Sequence, residues 1–142
     1  MFMGEYNHTI DAKGRLIVPA KFRDQLGEAF VITKGNDGCL SMYTNKAWET
    51  FLEKITKLPA NKNSREFVRY FVSSAEEVET DKQGRILIPA SLREHAGLDK
   101  DVVLAGAIDK VEVWDKERWS AANALDDIDA ITENLAELGL SI

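Results

Sequence analysis

The chain has 142 residues, 44% hydrophobic, 30% charged and 8% aromatic, with 9 Gly and 3 Pro. That is the composition of one compact domain, or of two small units sharing a core, and it excludes a low-complexity disordered chain. Eighteen Lys and Arg stand against twenty-four Asp and Glu, a net charge of −6, so nucleic acid is repelled unless positive charge is concentrated locally.

The acidic excess sits at one end. Residues 120–142 hold Asp126, Asp127, Asp129, Glu133 and Glu137 with no Lys or Arg, leaving 18 basic against 19 acidic residues before them. The single cysteine, Cys39, has no partner for an internal disulfide, and a chain this long builds a core without one, so a reducing cytoplasm is expected. Met1 to Glu5 lacks the basic and apolar regions of a signal peptide, and no apolar run approaches the ~18–20 residues of a membrane span.

Compared with itself, the chain repeats. Asp11-Ala-Lys-Gly-Arg-Leu-Ile-Val-Pro-Ala-Lys-Phe-Arg23 aligns without gaps on Asp81-Lys-Gln-Gly-Arg-Ile-Leu-Ile-Pro-Ala-Ser-Leu-Arg93, and Gly27 falls on Gly97. With one inserted residue the match continues through Val31-Ile32 on Val102-Val103, Leu40 on Val111, Met42 on Val113, Tyr43 on Trp114 and Trp48 on Trp119. This is an internal duplication.

Each copy predicts the same elements in order. An extended stretch reaches an acidic residue and a Gly able to take the positive φ of a tight turn (Asp11 to Gly14, Asp81 to Gly84), and a short apolar strand follows. Pro19 and Pro89 fall where a helix can start, at the first helical position. The short helices 20–26 and 90–96 stop at Gly. Two further strands follow, 30–33 with 40–43 and 102–105 with 111–114, the first pair joined by the loop Lys34-Gly-Asn-Asp-Gly38. Thr44 and Asp115 are candidate N-caps of another helix in each copy.

In the first copy that helix shows an apolar face through Trp48, Phe51, Leu52 and Ile55. Residues 57–64 break it, and 65–73 predict a second helix. In the last segment Leu125, Ile128, Ile131, Leu135 and Leu138 mark one helical face expected to pack on the rest of the protein. The organisation is thus a first repeat at 1–50, a helical insert at 51–70, a second repeat at 71–119 and an acidic C-terminal helix at 120–142. Neither copy can bury a core alone. The expected fold is α+β, mostly a small barrel, with the two copies fused about a pseudo-two-fold axis and helices at the periphery.

The candidate chemistry lies in the repeated turns. Lys13-Gly14-Arg15 and Gly84-Arg85 should form two similar basic loops, with Lys21, Arg23 and Arg93 adding charge at the short helices. Arg has a planar fork suited to phosphate oxygens or to the guanine O6/N7 edge. The plainer alternative is that Asp11/Arg15 and Asp81/Arg85 are local ion pairs that staple the turns.

The doubled Asp-x-x-Gly-Arg-x-x-x-Pro-Ala-x-x-Arg motif resembles the MraZ family of bacterial transcriptional regulators and, more broadly, the AbrB/SpoVT swapped-hairpin DNA-binding domains. The resemblance covers nearly the whole chain, including the motif spacing, the helical insert and a C-terminal helix. It implies a tandem-duplicated swapped-hairpin β-barrel that assembles into a homo-oligomeric ring of eight or twelve subunits, without a cofactor or metal. It further implies binding to double-stranded DNA at short direct repeats in the promoter of the division and cell-wall gene cluster, usually as a repressor, and hence a cytoplasmic, nucleoid-associated protein. The family's DNA-contacting loop falls on Lys13, Gly14 and Arg15, and its second copy on Gly84 and Arg85. The second copy departs from the first, with Gln83 in place of Lys13 and Lys82 in place of Ala12, so the resemblance does not make the loops equivalent.

Competing readings find less support. Asp11 and Asp81 have no His or Ser placed as a catalytic partner. His8 and His95 lie outside metal-ligand spacing. Cys39 reads as a small apolar filler, and phosphate-binding glycine motifs are absent. A ring-forming structural or protein-interaction module remains the alternative, with Trp48, Trp114 and Trp119 as interface anchors or, more simply, as core. An antitoxin-like regulator fits less well, because such chains usually carry one motif copy and a disordered tail.

Overall fold

The computed structural model describes residues 1–124 and 127–142; the expected stripe position Leu125 lies outside them. The first copy runs β1 (Glu5–Thr9), β2 (Arg15–Ile17), α1 (Ala20–Leu26), β3 (Ala29–Lys34), β4 (Leu40–Tyr43) and α2 (Asn45–Thr56), followed by α3 (Lys62–Phe71). The second repeats the order as β5 (Glu76–Glu79), β6 (Arg85–Leu87), α4 (Ala90–Ala96), β7 (Asp101–Gly106), β8 (Val111–Asp115) and α5 (Lys116–Ala122), and α6 (Ile128–Ala136) comes last.

The strands form an antiparallel six-stranded sheet in the order β1-β7-β8-β4-β3-β5 and a two-stranded ribbon of β2 and β6. Exchanging the copies reverses the sheet order and leaves it unchanged. The pseudo-two-fold passes through the Ser41↔Glu112 pair of the sheet and the Leu16↔Ile86 pair of the ribbon. Each copy lends its first strand to the other, β1 pairing with β7 and β5 with β3. This exchange explains why neither half is a separate domain. Leu16, Val18, Phe22, Phe30 and Ile32 from one copy and Ile86, Ile88, Leu92, Val102 and Leu104 from the other share one core.

Register refines the internal alignment. Thr9↔Asp101 and Ala29↔Glu79 are equivalent pairs, so Phe30 corresponds to Val102 and Val31 to Val103. The second copy therefore carries two extra residues, not one, before this strand, and one fewer in the hairpin after it. Apolar runs in both strands hid the slip, since Phe30 to Thr33 and Val102 to Ala105 are all buried.

The helix ends are set locally. Pro19 and Pro89 are N-caps rather than first helical residues, with ψ of 139° and 142°. Their carbonyls accept the first helical N–H bonds, from Phe22 and Arg23 and from Leu92 and Arg93. Thr44 and Asp115 cap α2 and α5 through Ala47 N–H and Arg118 N–H. The helix predicted from Arg65 starts at Lys62, because the Asn61 side chain accepts the Ser64 N–H at 2.9 Å.

Tyr43, Trp48, Phe51, Phe67 and Phe71 join β4, α2 and α3 in an aromatic cluster. Trp114 is buried with Cys39 and Val103, and Trp119 packs against them half-buried. The C-terminal stripe departs from expectation. Ile128, Ile131, Leu135 and Leu138 are all exposed, and no core residue among those described covers them. Periodicity shows that a face is apolar; it does not supply the surface that covers it. No described helix is long and apolar enough to cross a membrane.

Candidate nucleic-acid interface

The two repeated turns are built alike. Gly14 N–H donates to the Asp11 carbonyl and Asp11 N–H to the Arg15 carbonyl, both at 3.0 Å, closing a tight hairpin between β1 and β2. The Asp11 Oδ1 accepts N–H bonds from Lys13 (3.0 Å) and Arg15 (2.9 Å), and its Oδ2 accepts Arg15 Nε at 2.6 Å. Asp81 does the same with Gln83, Arg85 and Arg85 Nε, all at 2.9 Å. The backbone N–H of Arg15 and of Arg85 is the main cause holding the Asp11 and Asp81 carboxyls below the usual carboxylate range, with the guanidinium adding to it.

The local ion pairs weighed from the sequence thus exist. They engage only Nε, and among the described residues no hydrogen bond occupies either arginine's terminal nitrogens. The aspartate fixes the arginine stem and leaves the outer edge of its fork available to a ligand.

The glycines serve the other copy. Gly14 has φ +87° and Gly84 φ +76°, and both are buried. A Cβ on Gly14 would stand 2.7 Å from the Arg93 guanidinium carbon, and one on Gly84 would collide with the Arg23 guanidinium. Val18 N–H donates to the Gly84 carbonyl and Ile88 N–H to the Gly14 carbonyl, both at 2.9 Å. Each turn is therefore clasped by an arginine and by the backbone just past β2 or β6 of the opposite half, which fixes the two loops relative to each other.

Strand alternation then sets direction. Leu16 and Ile86 face the core at 0% and 1% exposure, so their neighbours Arg15, Ile17, Arg85 and Leu87 lie on the opposite face of the ribbon. Arg15 stands opposite Leu87 and Ile17 opposite Arg85, which makes the arginines diagonal neighbours roughly 7–8 Å apart, with their Cβ atoms somewhat closer. Both guanidinium stems rise from one outward face.

Of the residues predicted as a site, Arg15 and Arg85 share this face, and Lys13 and Lys82 stand exposed on the adjoining turns. Arg23 and Arg93 support the site by clasping: Arg93 Nε donates to the Ile88 carbonyl at 3.0 Å, whereas Arg23 Nε is buried without a partner among the described residues. Lys21 is exposed on α1, and no described hydrogen bond or ion pair joins it to either loop. Ile17 and Leu87, 41% and 59% exposed between the arginines, were read from the sequence only as apolar matches within a strand. Leu16-Ile17-Val18 and Ile86-Leu87-Ile88 are uniformly apolar, so no polar–apolar alternation marked the outward pair.

The flanks differ. Ile10 N–H bonds the Lys100 carbonyl beside the first loop, and Thr80 N–H bonds the Glu28 carbonyl at the equivalent place beside the second. Glu28, Glu79 and Asp81 line a common cleft with Lys82. Among the described residues no group of three His, Cys, Asp or Glu side chains is placed to hold a metal. His95 Nε2 lies 3.1 Å from the Tyr70 hydroxyl, and Cys39 is sealed, its thiol pushed up to about 12 chiefly by burial.

A family model described as MraZ protein, antitoxin-like, matches the chain twice, over residues 1–70 and 71–137. The chain belongs to the MraZ family. The paired matches fall on the two interlocked halves. "Transcriptional regulator MraZ" of Lachnoclostridium phytofermentans is 58% identical over 141 residues, 99% of either chain. Proteins of the same name from Ligilactobacillus salivarius and Clostridium beijerinckii are 54% and 53% identical, each over 99% of this chain and all of theirs. The MraZ relatives carry the name of a regulator, and the family is not an enzyme class.

Proposed function

We propose that this MraZ protein is a sequence-specific, double-stranded-DNA-binding transcriptional regulator that acts through the outward face of the β2–β6 ribbon. The observation that carries the reading is the common orientation of Arg15 and Arg85, clasped at fixed separation by the opposite halves of one core. A two-stranded ribbon fits the major groove, and arginine forks match guanine edges or phosphates. Lys13 and Lys82 add cationic contacts, Gly14 and Gly84 bring the backbone close, and Arg23 and Arg93 hold the loops.

A single subunit of charge −6 presents few cations on this ribbon face, so the protein works as a homo-oligomeric ring of eight or twelve subunits. Successive loop pairs engage promoter direct repeats about one helical turn apart, each raising the effective concentration of the next. The regulated promoter is that of the division and cell-wall gene cluster, the effect is repression, and the place is the cytoplasm, at the nucleoid.

Anisotropy titration of duplexes from upstream of the protein's own gene, at two salt concentrations, tests this. Binding should weaken steeply with salt through counterion release, and Arg15→Ala should weaken it strongly without changing oligomer mass. Equal binding by the variant removes the loop from the site, and absence of binding by either protein favours an interaction ring.

A further inference from the structure

The ribbon turns two apolar side chains outward together with its two arginines. β2 and β6 have three residues each, and their central residues Leu16 and Ile86 are buried in the core. Arg15, Ile17, Arg85 and Leu87 remain as the outward face. Ile17 is 41% and Leu87 59% exposed, and neither belongs to the core.

One exposed apolar side chain needs no explanation. Here two of them occupy opposite corners of a four-residue face whose other corners are arginines. An apolar side chain gains nothing from a phosphate, and water would be met better by a polar one. On the floor of the major groove one base does carry an apolar group, thymine at its C5 methyl.

Register supplies the spacing. Leu87 is the cross-strand partner of Arg15, and Ile17 that of Arg85. Directly opposed side chains have Cβ atoms about 4.5–5.5 Å apart, between one and two base steps of about 3.4 Å. An arginine fork on one base edge therefore sets its apolar partner over a base one or two steps away, and the pseudo-two-fold repeats the arrangement. We propose that Ile17 and Leu87 are specificity-determining residues that select thymine by its methyl group, one or two base pairs from the base engaged by the arginine of each pair. This deepens the proposed function and rests on the ribbon being the DNA interface.

The test compares duplexes that differ in methyl groups alone. Uracil pairs as thymine does and lacks only the C5 methyl. A duplex from upstream of the protein's own gene, and the same duplex with uracil for each thymine of the footprint, are titrated by anisotropy with wild type, Leu87→Ser and the double variant Ile17→Ser with Leu87→Ser. Wild type should bind the uracil duplex more weakly, by roughly three- to fivefold per methyl covered. Leu87→Ser should lose part of that difference and the double variant all of it, while both still bind through Arg15 and Arg85. Leu87→Ser changes the more exposed position and carries the comparison even where the double variant fails to fold.

No binding of the native duplex by wild type overturns the DNA interface itself. Binding indifferent to uracil overturns the methyl contact alone, and is the result expected of side chains wedged between base steps from the minor groove. A uracil penalty undiminished in the variants assigns the methyls to other residues or to duplex shape, and equally overturns the proposal.

Discussion

The two clasped loops share a skeleton and differ in charge. Asp, Gly and Arg take the same places in both, the same backbone bonds close each turn, and each guanidinium is held by its aspartate. At the tips Lys13 answers to Gln83 and Ala12 to Lys82. At the flanks Lys100 answers to Glu28 and Thr9 to Glu79. What bears the fold is symmetric, and what would meet a ligand is not. The first loop is the more electropositive, so a pseudo-two-fold unit gains a direction, as direct repeats require and a palindrome does not.

The largest effect should come from breaking the shared skeleton. Gly84→Ala forces a side chain into positive φ and into the Arg23 guanidinium, which should destabilise the protein by about 2–4 kcal/mol in denaturant melts. Adding Arg23→Ala should recover the steric part of that loss. Additive losses would mean that the two residues do not meet.

Next come the arginines, which separate the loops. Arg15→Ala should lower DNA affinity by about 1–3 kcal/mol, roughly ten- to a hundredfold, and Arg85→Ala by less, because its loop lies beside Glu28 and Glu79. Equal losses in titration would erase the functional asymmetry. Conversely, Glu28→Lys combined with Glu79→Thr removes both acids from the second flank and adds a base there, and should tighten binding several-fold and steepen its salt dependence.

The smallest effect concerns pH. Because the Asp11 and Asp81 carboxyls sit below their ordinary value of 3.8, their contribution to stability is fully present above that value. It is lost as pH falls through the depressed folded values. Thermal melts between pH 7 and pH 2.5 should show Asp11→Asn with Asp81→Asn less stable than wild type at neutral pH, with the gap closing in acid. A constant gap would assign the loss to something other than carboxylate titration.

Much of this architecture was legible in the repeat. The identical Asp, Gly, Arg, Pro and Ala positions located both turns and both short helices, because local turn chemistry and capping act through neighbouring residues. The flank asymmetry was not legible, since uniformly apolar β3 and β7 tolerate a slipped alignment and only hydrogen-bond register pairs Glu28 with Lys100. The outward aim of Ile17 and Leu87 emerged only once Leu16 and Ile86 were seen buried against each other. The fate of the α6 stripe was hidden for another reason: periodicity marks an apolar face, and among the described residues no core residue covers it.

Site-directed photo-cross-linking tests the central claim most directly. Cys39, fully buried with its thiol pushed up to about 12, should resist labelling, so a cysteine introduced at Ile17, Leu87 or Ile108 can carry a photoactivatable group selectively. Ile17 and Leu87 are exposed on the ribbon, while Ile108 is exposed on the β7–β8 turn. Promoter DNA should cross-link from positions 17 and 87 and not from 108. Cross-linking from 108 with none from 17 or 87 would contradict the account.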